Sequence, residues 1–337
     1  MNLKTSNKGR VLSGMRPTGP LHIGHLFGAL SNWKKLQDEG YQCFYMIADW
    51  HALSTEYQNP LEIKNHIFEI ALDFLSCGLD PEKSVIFIQS KVREHAELNL
   101  VLSMIVPVSW LERNPVYKEQ IQELKEKDLT TYGFLGYPVL QAADILIYRA
   151  EYVPIGVDQL PHLELTREIA RRFNFLYGNY FPEPKEVLTQ SPKIPGTDGR
   201  KMSKSYGNAI FLKDTDDEIL SRVSKMFTDQ KRLYRKDPGH PDECAVFAYR
   251  KLVSENYIEI MQQCLNAEIG CVECKKQMGQ DLIRYLKPVR EKRKKLAENP
   301  EKVWKILLQG SEKASSVAEK TMKDVKKLIG LELCDEK

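Results

Sequence analysis

Between residues 11 and 89 the chain alternates apolar, strand-like runs with helix-periodic segments, and that order restricts the fold more than any other feature. Val11-Leu12-Ser13-Gly14 is a short apolar run ending at a turn. Residues 22–37 then place Leu26, Leu30, Trp33 and Leu36 on one helical stripe. Cys43–Ala48 is a second apolar run ending at Asp49, residues 61–77 are amphipathic at helical period, and Ser84–Gln89 is a third run. Strand–helix–strand–helix–strand predicts parallel strands joined by helical crossovers, the doubly wound α/β sheet of a Rossmann-like nucleotide-binding domain. Such sheets bind ligands beyond the carboxyl ends of their strands, where Gly14, Asp49 and Gln89 lie.

From about Thr215 the pattern is mostly helical to the end, which divides the chain into a catalytic domain, 1–212, and a helical domain, 213–337. A chain of 337 residues has the volume for both, and 42% hydrophobic with 28% charged residues is ordinary for a soluble globular protein. The net charge of +3 is too small to announce a polyanionic partner, but its distribution is uneven. Positive residues outnumber negative ones from Lys275 to Lys327, with a knot at Arg290, Lys292, Arg293, Lys294 and Lys295. That run is either a solvated helix face or an RNA footprint. The N-terminus is polar, without an apolar signal core, and no stretch has the length to cross a bilayer; the expectation is a cytoplasmic protein with reduced cysteines and no membrane partner.

Two short segments carry chemistry. Pro20-Leu21-His22-Ile23-Gly24-His25-Leu26 follows the turn-rich loop Gly14-Met15-Arg16-Pro17-Thr18-Gly19 and opens a helix. Free backbone N–H groups and the helix dipole attract phosphate at such a place, and Gly24 lets a nucleotide approach the backbone. His22 and His25 are three residues apart and share a face, so both reach a phosphate or ribose oxygen; a structural pair of histidines fits the same spacing. There is no G-x-x-x-x-G-K-[ST] loop, which argues against P-loop chemistry. Far downstream, Pro195-Gly196-Thr197-Asp198-Gly199-Arg200 leads into Lys201-Met202-Ser203-Lys204-Ser205. Such a segment is either a flexible basic loop or a phosphate-binding one, and a reacting phosphate builds negative charge in its transition state. Lys201 and Lys204 neutralise it, with Ser203 and Ser205 as donors.

Between these ends, a helix read from Pro138 places Tyr137, Gln141, Asp144 and Tyr148 along a polar stripe of an otherwise apolar segment. A carboxylate amid Ala, Ile and Leu is costly to bury unless something donates to it. An indole N–H, a phenol O–H or a neighbouring arginine would serve, and a structural salt bridge remains open.

Across nearly the whole chain the residues resemble the bacterial tryptophanyl-tRNA synthetases, of class I. The resemblance is carried by the His-Ile-Gly-His and Lys-Met-Ser-Lys-Ser pair, Ser13–Gly19, Asp49-Trp50-His51, Gly156-Val157-Asp158-Gln159 with His162–Glu168, and Asp198–Asn208. It implies activation of L-tryptophan by ATP with Mg²⁺ and transfer to tRNA(Trp) bound through a helical anticodon-binding domain, in a homodimer. By it, Asp144 accepts the indole N–H, and His51 and Gln141 line the tryptophan pocket. Tyr137 and Gln159 hold the amino-acid backbone. Arg16, Pro17, Thr18, Gly24 and His25, with Gly156, Val157, Asp158, Ile194 and Met202, meet ATP. Lys118 matches a family lysine near the phosphates, and His22 and His25 join Lys118, Lys201 and Lys204 in catalysis. Gln141 stands where many members carry Met, Val157 where they carry Glu, and Leu12 where they carry Phe. Tyrosyl-tRNA synthetases also present a Gln-x-x-Asp helix, so tyrosine is the alternative substrate. They usually lack the Gly-x-Asp-Gln-x-x-His-x-Glu-Leu-Thr-Arg run found here.

The chain has seven cysteines. Cys43, Cys77 and Cys334 stand alone, while Cys244, Cys264, Cys271 and Cys274 cluster with one C-x₂-C knuckle. Four thiolates in a reducing compartment suggest a closed site for zinc or for an iron–sulfur cluster. A subset of the tryptophanyl enzymes carries a comparable spacing, and that resemblance implies a 4Fe–4S cluster, with zinc as the alternative.

Overall fold

The structure is a computed structural model that describes residues 8–123, 128–188, 194–204 and 206–332. Five parallel strands form one sheet in the order β3-β2-β1-β4-β5: β1 (Arg10–Met15), β2 (Gln42–Ile47), β3 (Ser84–Ile88), β4 (Tyr152–Ile155) and β5 (Lys185–Leu188). The three strands expected from sequence are β1 to β3, in register from Val11 opposite Cys43 and Cys43 opposite Ser84. The chain leaves β1 to one side for β2 and returns to its other side with β4. That reversal of strand order makes a crevice between β1 and β4, the switch point at which doubly wound sheets bind ligands.

The described residues fall into two compact units, each discontinuous in sequence: one takes in those up to Thr18, from Ala29 to Leu188 and from Asn299 on, the other those from Gly19 to Gly28 and from Ile194 to Glu298. This division cuts the chain at other points than the single boundary after residue 212. The sheet unit holds α2 (Ser31–Asp38), α3 (Asp49–Glu56), α4 (Ile63–Ser76), α5 (Glu94–Ser103), α6 (Val108–Arg113), α7 (Pro115–Glu123), α8 (Tyr132–Leu146) and α9 (Leu160–Tyr177). It also holds the last helix, which sequence reading assigned to the helical domain. This helix, α14 (Pro300–Leu328), buries Val303, Leu307, Ala314, Ala318, Met322 and Val325 on one stripe. It packs along the edge strand β3 so closely that a Cβ at Gly310 would run into the Ile86 carbonyl oxygen. Ser311 Oγ accepts the Ile88 N–H at 3.3 Å, so the helix satisfies part of a strand edge that would otherwise be open.

Two further departures from the sequence reading have local causes. The helix expected over 22–37 is three pieces: α1 (Ile23–His25), a π-helical turn Leu26–Leu30, and α2. The chain passes from one unit to the other within that π turn, an irregularity often found at functional sites. Helix α8 starts at Tyr132, not Pro138, because the Thr131 side chain caps the Phe134 N–H at 3.2 Å.

The other unit contains α1, the lysine-bearing loop and α10 (Asp216–Ser224), α11 (Ala245–Val253), α12 (Tyr257–Leu265) and α13 (Cys271–Ala297). Thr215 and Glu218 form a reciprocal capping box on α10. Gly279 of α13 sits where a Cβ would press on Leu220 at 2.9 Å, setting the approach of α10 to α13. No helix among the described residues is long and apolar enough to cross a membrane.

Replacing Gly310 with Ala raises helix propensity yet should destabilise the protein, because overpacking costs about 1–3 kcal/mol against a propensity gain of about 1. A urea midpoint that rises in Gly310→Ala would contradict the α14–β3 packing.

Candidate functional site

A cavity of about 450 Å³ opens at the β1–β4 switch point. Ser13, Gly14 and Val153–Ile155 form its floor at the strand ends, and Arg16, His51, Tyr137, Gln141, Asp144, Gly156, Gln159 and His162 supply its polar wall. A Cβ at Gly14 would approach the Met46 carbonyl oxygen to 2.9 Å, so only glycine leaves this strand end open.

Asp144 on α8 is 1% exposed and is surrounded by donors. His51 Nε2 lies 2.8 Å from its Oδ2 and His95 Nδ1 lies 2.6 Å from its Oδ1. Gln89 Nε2 donates to both oxygens, at 2.8 and 3.0 Å. The Gln89 amide is itself locked, since its Oε1 accepts the first free N–H groups of α3, from Trp50 at 3.1 Å and His51 at 3.4 Å. Burial alone would raise the Asp144 pKa, but the His51 and His95 rings and their hydrogen bonds outweigh it and hold the carboxyl below its ordinary range. An ionised carboxylate only accepts, so His95 carries its proton on Nδ1. Its Nε2 then accepts from Tyr148 Oη at 2.7 Å. Burial and the Asp144 charge raise the Tyr148 pKa, keeping that hydroxyl a donor.

A second set of fixed donors orients Tyr137. Asn114 Oδ1 accepts the Val116 N–H at 3.0 Å, which turns its Nδ2 toward His162 Nδ1 at 3.2 Å. His162 therefore carries its proton on Nε2 and donates to Tyr137 Oη at 3.1 Å. The tyrosine keeps its own hydrogen and a lone pair for the cavity. Burial, with the charge of His51, lowers the His162 pKa to about 4, so the ring is neutral near pH 7.

In the other unit, the two sequence motifs meet through the backbone. Ile23 N–H donates to the Ile210 carbonyl at 3.0 Å, Leu212 N–H to the Leu21 carbonyl at 2.9 Å, and His22 bridges Phe211. The glycine-rich loop is folded about the buried Asn208. Asn208 Nδ2 donates to Asp198 Oδ1 at 2.8 Å and to the Lys201 carbonyl at 3.1 Å, while its Oδ1 accepts Ser203 N–H at 2.8 Å. Lys204 Nζ reaches the Gly19 carbonyl at 2.7 Å, whereas Lys201 is exposed. A Cβ at Gly24 would meet the His22 ring at 2.9 Å and Met202 Sδ at 3.4 Å. The His22 and His25 rings lie 3.8 Å apart, and His22 Nδ1 is buried without a hydrogen-bond partner. Burial and the Lys204 charge lower the His22 pKa to about 4. Burial, His22 and Lys204 also hold the His25 pKa well below its ordinary value.

Of the residues singled out from sequence, the structure brings Arg16, His51, Tyr137, Gln141, Asp144, Gly156 and Gln159 to the cavity. Val157 and Asp158 are exposed beside Gly156, and Asp158 accepts from Gln159 Nε2 at 3.0 Å. Pro17 is buried and Thr18 half-buried at the edge of the sheet unit. Lys118 is exposed on α7 and does not line the cavity, while Gln120 of the same helix does. His22, Gly24, His25, Ile194, Lys201, Met202, Ser203 and Lys204 belong to the other unit, and Ser205 lies outside the described residues. Tyr148 is not on the cavity stripe; it is buried just beyond α8. Sequence reasoning missed His95, Asn114, the role of His162 and that of Asn208. The available signal was a polar side chain placed in an apolar helical or turn context.

Cys244, Cys264, Cys271 and Cys274 come together in this same unit around a cavity of about 20 Å³, and all four are free of disulfides. Cys271 and Cys274 are one turn apart at the start of α13. Gly239 lies where any Cβ would collide with Cys264 Sγ. Arg250, fully buried, donates to the Cys274 carbonyl at 2.6 Å. Among the described residues no three His, Cys, Asp or Glu side chains are arranged to hold a single metal ion. In the basic stretch, Lys275 caps α10 through the Ser224 carbonyl at 3.0 Å and Arg290 pairs with Asp216.

Residues 4–287 match the family model described as tRNA synthetases class I (W and Y). The chain is 55% identical to the tryptophan–tRNA ligase of Thermotoga maritima, covering 96% of this chain and 99% of that protein. It is 45% identical to the tryptophan–tRNA ligase of Aquifex aeolicus, over 96% and 100%. The tryptophanyl-tRNA synthetase of Campylobacter jejuni, solved with ADP and tryptophan, superposes with a TM-score of 0.87 at 35% identity, covering 96% of this chain and all (100%) of that one.

A histidine whose pKa falls from 6.5 unfolded to about 4 folded binds fewer protons in the native state across that window. Its contribution is therefore present above pH 6.5 and is lost as pH falls toward 4. His162→Gln should remove on the order of 3 kcal/mol of that acid-side loss, read from urea midpoints between pH 7 and 4. An unchanged pH slope would show that His162 is not held neutral by the fold.

Proposed function

We propose that this chain, which belongs to the class I tRNA synthetases (W and Y), is a tryptophan–tRNA ligase whose specificity rests on the buried carboxylate of Asp144. The substrate carboxylate attacks the α-phosphorus of ATP, the bond to pyrophosphate breaks, and tryptophanyl-adenylate forms. A ribose hydroxyl at the tRNA 3′ end then attacks the activated carbonyl and AMP leaves. No protein nucleophile is required; the protein positions the reactants and stabilises charge.

Asp144 accepts the indole N–H through Oδ2, the oxygen shared with the cavity-lining His51. Indole competes there with the His51 N–H. An analogue without a donor gains less, because a site built for a hydrogen bond rejects a ligand that cannot make one. Tyr137, oriented by His162, and Gln159 hold the amino-acid backbone, and Gln141 lines the pocket. Arg16, Pro17 and Thr18 meet ATP, with Gly156, Val157, Asp158 and Ile194 toward its nucleoside. His22, Gly24 and His25 take phosphate, a role supported by the unpartnered His22 Nδ1. Neutral imidazoles leave positive charge to Lys201 and Lys204, with Met202, Ser203 and Ser205 completing the loop. ATP enters as its magnesium complex. Lys118 is assigned to the phosphates on resemblance alone.

Helices α11 to α13 are assigned to tRNA. That assignment rests on the resemblance and on the basic run at Arg290, Lys292, Arg293, Lys294 and Lys295 of α13; the polar groove of about 880 Å³ beside it mixes Lys276 and Arg284 with Glu255, Glu259, Glu273 and Asp281. The four cysteines are assigned to a 4Fe–4S cluster. A zinc ion binds sulfur at about 2.3 Å and would draw the thiolates into a tight tetrahedron. The convergence of the four thiols supports a shared bound group, and Arg232 and Arg250 lie where they would offset its charge. The cluster would brace α11, α12 and α13; no step of the reaction passes through it. Exposed Leu53, Tyr57, Val108 and Tyr132 around an apolar cavity of about 540 Å³ support a homodimer through this face of the sheet unit.

Pyrophosphate exchange tests the function: tryptophan should drive it and tyrosine should not, and faster exchange with tyrosine would overturn the assignment. Lys201→Ala should lower kcat by about 10²–10³ with the tryptophan KM unchanged, as expected of a charge contact made in the transition state. After anaerobic purification, iron and sulfide should be present at four each per chain with a brown chromophore. A colourless protein with one zinc would refute the cluster.

A further inference from the structure

Behind Asp144, on the side away from the cavity, lies a run of side chains that the reaction does not touch. His95 and Tyr148 are both fully buried, and neither lines the cavity. Oδ1 of Asp144 receives His95 Nδ1 at 2.6 Å and Gln89 Nε2 at 2.8 Å. A carboxylate oxygen has about two lone-pair positions, so these two donors fill it. Oδ2 also has two partners, His51 at 2.8 Å and a longer bond of 3.0 Å from the same Gln89 amide, but its closer partner, His51, lines the cavity. The two oxygens thus differ in surroundings: Oδ1 is held only by side chains that do not line the cavity, whereas Oδ2 shares its closer donor with the cavity wall.

The core-side donor is anchored in turn. Tyr148 Oη meets His95 Nε2 at 2.7 Å. The Tyr148 ring stacks on Phe44 of β2 at 4.7 Å and meets Phe87 of β3 edge-on at 5.5 Å. Phe87 also lies 5.9 Å from the His95 ring. The orientation of the Asp144 carboxylate is thereby referred to two strands of the sheet through a histidine in the first turn of α5.

We infer that His95, backed by Tyr148, is a positioning residue for amino-acid specificity: by occupying Oδ1 it turns Oδ2 alone toward the ring N–H of the substrate. Without it, Asp144 rotates or takes up a proton. A protonated carboxyl can donate rather than accept, so discrimination for a ring donor falls. This inference rests on the reading that Asp144 receives the indole N–H, and the test separates the two.

Binding of L-tryptophan and of 3-benzothienyl-alanine, which replaces the ring N–H with sulfur, is measured by calorimetry on the full chain. The unsubstituted protein should prefer tryptophan by about tenfold or more, the scale of a hydrogen bond to a charged group. His95→Leu should lose most of that preference while the KM for ATP stays unchanged. His95→Asn, which keeps an N–H near the place of Nδ1, should restore it, and Tyr148→Phe should fall between. If the unsubstituted protein shows no preference, the reading of Asp144 fails and the inference with it. If it prefers tryptophan and His95→Leu prefers it equally, or binds both amino acids and ATP equally poorly, the inference alone is overturned. Should His95→Leu lose its near-ultraviolet circular dichroism, the other two variants decide: a reduced preference in Tyr148→Phe with a retained one in His95→Asn supports the inference, and the reverse pattern overturns it.

Discussion

A carboxylate held ionised inside an apolar helix is the constraint around which the sheet unit is organised. Asp144 is taken out of water by α8, and its desolvation is offset only because three side chains from three other segments donate to it. His51 comes from the first turn of α3, Gln89 from just past the end of β3 and His95 from the first turn of α5. The ends of adjacent strands and the start of two helices are thereby fixed to one charge. Leaving such a group partly unpaired costs more than any single bond to it contributes, so the arrangement is all or nothing. On the proposed reading, that property suits Asp144 to selecting a substrate by one N–H.

The second centre works by a different principle. Around His22 and Lys204 the structure relies on backbone geometry: a short antiparallel pairing of residues 21–23 with 210–212, a loop wound about Asn208, and a glycine at 24 that leaves room at the helix start. Burial empties the histidines of charge, and the lysines then carry the positive potential alone. A neutral histidine face beside lysine cations suits a phosphate chain.

The α/β order, the first three strands and the two motif ends were legible because each rests on a local period or a short run. Asp144 was legible too, since a lone acid among Ala, Ile and Leu stands out. Its donors were not equally plain. Gln89 could be placed at a strand end, but His95 and Tyr148 act across more than forty residues of sequence and carry no local sign of it. Strand β5 reads Lys-Glu-Val-Leu and is mostly exposed, so it lacks the apolar run that revealed the others. The return of α14 to the sheet depends on one close contact at Gly310, which periodicity cannot express. Likewise, Pro138 looked like a helix start only because the Thr131 cap seven residues earlier was not weighed.

The central claim is that an ionised Asp144 receives the indole N–H. Nuclear magnetic resonance of tryptophan labelled with ¹⁵N in its ring, bound to the full chain, reads that contact directly. The account requires the indole proton to shift downfield from its value in water and to exchange slowly, with both effects lost in Asp144→Asn. An indole proton at its free position, exchanging at the solvent rate while tryptophan is demonstrably bound, would contradict it.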